Sequence, residues 1–163
     1  MDPRVFSREG YLTDQRRLKD MPYGRFSSDR TGCGWVAAYN MLRAAGFGPD
    51  ADRVRRSLEK GLPFWGALGT NLFFLLFWLR AQGLRPRLAL SPLTAQLRLR
   101  RCPAGFAYYC TGRGMHFAAF VPAGNGKARF LNAVYGRDVV CTPGEFCRRY
   151  AKFPVKLLFT VER

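Results

Sequence analysis

Between residues 104 and 134 the chain alternates short apolar runs with glycine-rich punctuation: AGFAYYCT, TGRG, MHFAAFVPA, GNG and KARFLNAVY. The runs are rich in aromatic and small residues that suit a pleated, buried surface. The joints are short and glycine-rich, as hairpin turns require. An antiparallel sheet is therefore expected here. LRPRLAL reads as a further strand, as do a short run near Asp138–Cys141 and the closing VKLLFTVE.

The first half has a helical texture. TGCGWVAAYNMLRAAG predicts a helix from about Cys33 to Ala45, ended by Gly46. Asp50 can cap a second helix, DADRVRRSLEK, in which Val54 and Leu58 share one face. The run LPFWGALGTNLFFLLFWL, residues 62–79, carries no charge and imitates a membrane span. A spanning helix needs about 20 predominantly apolar residues, whereas Pro63, Gly66, Gly69, Thr70 and Asn71 break or cap the first half of this run. It reads as a loop, then a buried helix capped near Thr70 and stopped by Gly83, with no membrane span. Ser91-Pro92 opens a short helix through the 92–101 region, and Pro143 begins another, PGEFCRRYA. Helices followed by an antiparallel sheet make an α+β arrangement, with the first helix packed on the sheet. One domain is expected over residues 29–163, after a polar, charge-mixed arm at 1–28.

The formal charge is +16, and every charged residue from Lys60 to Arg137 is basic. Such a field attracts acidic peptides, polyanions or anionic membrane surfaces, or serves only as a solvated face. Arginine and aromatic residues interleave at 98–113, but no recognised nucleic-acid module is present, so nucleic acid is a secondary partner class. There are five cysteines, an odd number with no CxxC pair, and a single histidine, so neither a metal nor a cofactor is expected. The start, MDPRVFSREGYLTDQRRLKD, lacks the apolar core of a signal peptide, which fits a cytoplasmic setting with free thiols.

Cys33 lies where a helix N-terminus would favour its thiolate. Gly32 and Gly34 are expected to leave space beside the sulfur for an approaching carbonyl. His116, the only imidazole, stands at the start of a strand and can serve as base. A base of this kind needs a third group to fix its tautomer. Asn132, in the next strand, is a polar amide that costs desolvation unless something bonds it. Asp138 is the substitute orienter. Cys110 reads as core, and Cys102, Cys141 and Cys147 carry no assigned chemistry. Trp35, Phe73, Phe74, Phe77 and Trp78 are expected to fill the core or floor a cleft.

GCGWVAAYNML, GMHFAAFV and FLNAVYG, in that order, resemble the papain-like cysteine peptidase superfamily. Within it they are most similar to the bacterial peptidases that trim double-glycine (bacteriocin) leader peptides, and to their stand-alone relatives. The segment GTNLFFLLFWLRAQGLRP resembles the corresponding part of those relatives. The resemblance covers residues 21–150 and implies a papain-like fold. It also implies Cys33 as nucleophile, His116 as base and Asn132 as orienter. The implied activity is that of a thiol hydrolase or acyl transferase acting on a peptide or amide, without a cofactor. One departure matters. Six residues before the nucleophile the superfamily has a glutamine that donates to the oxyanion, whereas this chain has Ser27, and its nearest upstream glutamine is Gln15. Ser27, Ser28 and Tyr23 are the candidate replacements for that donor. The competing class is an inactive fold acting as a basic binding module for nucleic acid or an acidic protein. The substrate and oligomeric state stay open.

Overall fold

A computed structural model describes residues 2–134 and 136–163, apart from the side chains of Phe153 and Pro154. A small hairpin of β1 (Pro22–Tyr23) and β2 (Phe26–Ser27) leads into α1 (Ser28–Thr31) and α2 (Cys33–Ala44). Next come α3 (Ala51–Glu59), α4 (Leu72–Ala81), β3 (Arg85–Ala89) and α5 (Pro92–Arg98). The strands β4 (Ala104–Cys110), β5 (Met115–Pro122), β6 (Ala128–Val134) and β7 (Arg137–Cys141) follow. The chain closes with α6 (Pro143–Arg149) and β8 (Lys152–Glu162).

The protein is thus mixed α+β, built on a six-stranded antiparallel sheet in the order β3-β8-β4-β5-β6-β7. The meander from β4 to β7 pairs as its turns dictate. The GNG joint places Gly124, Asn125 and Gly126 consecutively at φ 78, 50 and 70, a backbone that Gly and Asn tolerate. The last strand returns to the middle of the sheet, between β3 and β4.

Both faces of the sheet are covered, and strand alternation sorts the core. Phe106 and Phe117 join Trp35, Val36 and Met41 of α2 on one face. Tyr109, Phe120 and Phe130 join Phe146 of α6 on the other, where the Phe130 and Phe146 rings stack at 3.8 Å. Within β6 the alternation fails. In β6, Ala128 and Phe130 face α6, Leu131 faces α2, and Ala133 faces α6 again. The side-chain parity slips between 131 and 133, where Asn132 has φ 53 and the β6–β7 register shifts. This is a β-bulge, and it sits next to the histidine strand.

The polar N-terminal arm packs on the rest of the chain. Val5, Leu12, Leu18 and Tyr23 are buried in the α2 core. Asn40 of α2 accepts from the Leu12 N–H and donates to its carbonyl, each at 2.8 Å. The polar composition of this stretch concealed its few well-spaced apolar anchors.

Helix α4 starts where expected and departs from expectation in its burial. Its N-cap is Asn71, next to Thr70, accepting from the N–H groups of Phe73 and Phe74 at 2.8 and 3.1 Å, and Thr70 is buried. The helix is only half buried. Leu75, Trp78 and Leu79 are inside, but Phe73 and Phe77 face outward and fill no core. No helix among the described residues is long and apolar enough to cross a membrane.

Candidate active site

The nucleophile candidate opens α2. Helix α1 stops at Gly32, and the chain restarts as a helix with Cys33 in its first turn, where backbone N–H groups lack intrahelical partners. The flanking glycines are there for packing. A Cβ at Gly32 would stand 2.5 Å from the Ser28 carbonyl oxygen and 2.6 Å from Trp35 Nε1. A Cβ at Gly34 would stand 2.2 Å from Thr70 Oγ1. The space a side chain would need at these two glycines is therefore taken by the Ser28 carbonyl, Trp35 and Thr70. Small residues let the helix start nest against the preceding turn and the α4 approach. Trp35 is locked there by an Nε1–H bond to Ser28 Oγ at 3.1 Å.

His116, on β5, meets this helix end. Both residues line one groove, close enough for each to shift the other's pKa. His116 Nε2 lies 2.8 Å from the main-chain carbonyl oxygen of Asn132. A carbonyl can only accept, so Nε2 carries the hydrogen and Nδ1 is left to face the sulfur as a proton acceptor. The bulge supplies this carbonyl. The left-handed turn at Asn132 takes its peptide out of the strand ladder and aims it at the ring.

The Asn132 side chain does something else. Its Oδ1 accepts from the Gln15 N–H at 3.1 Å, and its Nδ2 donates to Gln15 Oε1 at 2.9 Å. Gln15 Nε2 in turn donates to the carbonyls of Ser28 and Asp29 at 2.8 and 3.1 Å. Asn132 thus orients the base through its backbone, while its amide ties the bulge to the turn that leads into Cys33. Asp138 stands one layer further back. Its Oδ1 accepts from the Asn132 N–H at 3.1 Å, and its Oδ2 pairs with Arg129 Nη2 at 2.8 Å.

The electrostatics single out Cys33. Burial raises its pKa, but the His116 bond and charge, with the N–H groups of Phe117 and Gly34, outweigh burial and bring it below the usual thiol value. Burial alone would lower His116; the Cys33 thiolate and the Asn132 carbonyl reverse that and raise it. The pair is therefore biased toward thiolate and imidazolium. Burial pushes Cys102 and Cys147 up, and Cys141 up to about 11, so none of these three shares the activation.

A groove runs past the pair. One stretch is lined by Cys33, Arg30, the 67–70 loop and the β4–β5 turn with Arg113. On the far side of His116 it continues between Asp29, Tyr109, Arg149 and Lys152. Four of these lining residues are basic and one is acidic.

The three hydroxyls expected near an oxyanion are each engaged. Ser27 Oγ donates to Asp29 Oδ1, Ser28 Oγ accepts from Trp35, and Tyr23 Oη bonds Thr70 Oγ1 at 2.8 Å. In the last pair only one of two hydroxyl protons is used, and Thr70 lines the groove beside Cys33. Burial, together with the nearby Cys33 charge, raises the Tyr23 pKa well above the usual phenol value. Thr31, two residues before the cysteine, has a buried hydroxyl with no partner among the described residues.

Sequence reasoning missed Thr70 and the structural part played by Gln15. Thr70 was read, with Asn71, only as breaking or capping the 62–79 run, and the signal for Gln15 was a lone glutamine in a charge-rich stretch. Among the described residues no cluster of three or more His, Cys, Asp or Glu forms a metal site. No protein-family model matches the chain, and no curated protein matches it.

Proposed function

We propose that this protein is a thiol hydrolase or acyl transferase of the papain-like type, acting on a peptide or amide. The observation that carries this reading is the Cys33–His116 pair at a helix N-terminus, with the far ring nitrogen fixed by the Asn132 carbonyl at 2.8 Å. His116 Nδ1 takes the thiol proton, and the Cys33 sulfur adds to the scissile carbonyl. The Cys33 N–H and the spare hydroxyl proton of the Tyr23–Thr70 pair stabilise the oxyanion, a type of contact worth about 10²–10³ in rate per donor. The imidazolium then gives its proton to the leaving amine as the C–N bond breaks. Water, or an amine acceptor, releases the acyl group from sulfur with His116 as base. Arg30, Arg113, Arg149 and Lys152 along the groove favour a substrate with acidic side chains.

The test is covalent capture by an electrophilic peptide carrying acidic residues, read by mass spectrometry. Cys33 is expected to be labelled, with strong loss in Cys33→Ala and His116→Ala. Labelling spread evenly over the five cysteines would overturn the proposal. The basic groove and net charge of +16 also favour a second reading, a binding module for nucleic acid or an acidic protein. That reading requires uniform thiol reactivity together with binding that falls steeply with salt.

A further inference from the structure

Helix α4 is apolar on every side from Leu72 to Leu79, with Arg80 in its last turn. Leu75 and Leu79 are fully buried and Trp78 nearly so, yet Phe73 and Phe77, one turn apart, are 78% and 68% exposed. A helix of that composition belongs inside a protein or against lipid. The loop before it adds Phe64, Trp65 and Leu68, each about as exposed. Phe64 and Trp65 hold left-handed backbone at φ 47 and 53, a costly conformation for large residues, with both rings left outside the core. Five large apolar side chains within fourteen consecutive residues, 64–77, thus lie outside the protein's own packing.

Every charged residue from Lys60 through this segment and on to Arg137 is basic. Exposed Lys60 and Arg80 bracket the segment in sequence. The Arg25 guanidinium lies 4.9 Å from the centroid of the Trp65 ring. Glu59, the acid nearest in sequence, is engaged by the Gly24 N–H at 2.8 Å and by Arg55 at 3.5 Å. No further acid follows until Asp138. Aromatic side chains with a basic rim are the arrangement by which peripheral proteins hold to anionic lipid headgroups.

We propose that this face docks on the surface of an anionic lipid bilayer. The ten residues of α4 reach about 15 Å, half a hydrocarbon core, so the helix lies along the surface and does not cross it. A second copy is the weaker occupant, because it would set Arg25, Lys60 and Arg80 of two strongly basic molecules against each other. A protein partner would need sockets for the protruding rings, whereas a bilayer yields to them. Leu68 belongs to the loop that walls the Cys33 groove, so docking brings the groove to the membrane surface.

The experiment is sedimentation of the full chain with vesicles, comparing an equal mixture of phosphatidylcholine and phosphatidylglycerol with pure phosphatidylcholine. Binding is expected to the mixture, much more weakly to the neutral vesicles, and to decline with salt. Each of Trp65→Ser, Phe73→Ser and Phe77→Ser is expected to weaken binding about tenfold. All three positions are exposed, and unchanged melting curves verify that the variants fold. Trp35 and Trp78 are buried, so quenching by brominated phosphatidylcholine in the mixed vesicles reports Trp65, and quenching is expected. Failure to bind anionic vesicles overturns the proposal, as does binding indifferent to the three substitutions. Self-association in the absence of lipid that the same substitutions abolish also overturns it and assigns the face to a second copy. None of these results bears on Cys33 labelling, so this inference and the thiol chemistry stand or fall separately.

Discussion

Replacing Asn132 by glycine and, separately, by alanine distinguishes a backbone orienter from a side-chain one. The ring of His116 is held by the Asn132 carbonyl, and that carbonyl is presented by a residue at φ 53. Glycine adopts this conformation without steric cost, whereas alanine there is strained by about 1–2 kcal/mol. Both substitutions remove the amide that serves Gln15 Oε1 and the Gln15 N–H, and stranding buried groups of this kind costs about 1–3 kcal/mol. Asn132→Gly should therefore lose about 1–3 kcal/mol of stability, and Asn132→Ala about 1–2 kcal/mol more, read from denaturant unfolding. The decisive assay is the rate of Cys33 alkylation by iodoacetamide against pH. In Asn132→Gly the carbonyl remains, so the rate, slower because the tie to Gln15 is lost, should still rise at the same low pH as in the wild type. In His116→Ala the imidazolium is gone, and burial, which raises the thiol pKa, should move the rise to higher pH. If Asn132→Gly gave the profile of His116→Ala, the amide and not the carbonyl would be the orienting group. Equal stability of the glycine and alanine variants would refute the strained bulge.

Turnover of an amide substrate should follow a bell-shaped pH curve. Its acid limb is set by Cys33, whose lowered pKa makes thiolate available below the usual thiol range, and its basic limb by His116, whose raised pKa keeps the leaving-group proton above the usual imidazole range. Thr70→Val should cut turnover about 10²–10³-fold while leaving Cys33 alkylation nearly unchanged, since the hydroxyl serves the oxyanion and not the thiol; equal losses in both assays would place Thr70 elsewhere in the mechanism. Gly34→Ala forces a Cβ to 2.2 Å from Thr70 Oγ1 and should cost about 1–3 kcal/mol in thermal or denaturant unfolding, with recovery on adding Thr70→Gly. Gln15→Ala strands the Asn132 amide and should destabilise by about 1–3 kcal/mol, with a slower Cys33 alkylation as its second readout.

The elements that repeat a simple period were readable from residues alone. The hairpin strands, the Asp50-capped helix and the Cys33 helix begin and end where their turns and caps say, because local chemistry fixes them. What escaped were the features set by long-range contact. The return of β8 to the centre of the sheet has no local signature, since its pattern suits an edge or an interior strand equally. Asn132 was correctly marked as a buried amide needing a partner, yet its partner, Gln15, lies 117 positions away in a stretch whose charges disguised its apolar anchors. The bulge itself was hidden because FLNAV reads as an ordinary alternating strand; only the left-handed backbone at one asparagine breaks the parity. At α4 the sheer apolarity predicted burial, and periodicity could not say that half of the helix would be left outside.

These misses converge on one structural point. In the proposed mechanism the nucleophile rides on a helix and the base on a sheet, and two such bodies packed through apolar contacts can slide by fractions of an ångström at little cost. Proton transfer between sulfur and nitrogen does not tolerate that freedom. Gln15 removes it. Through one side chain and one N–H it grips the Ser28–Asp29 carbonyls, which precede the Cys33 helix, and the Asn132 amide, which belongs to the bulge holding His116. Three of the four bonds in that bridge are buried, where hydrogen bonds are strongest and most costly to break, and the fourth, to the Asp29 carbonyl, is partly so. On that proposal the segment 2–28 is the strap that fixes the separation between Cys33 and His116. Removing it should leave Cys33 and His116 intact in sequence but no more reactive toward an electrophile than a free thiol.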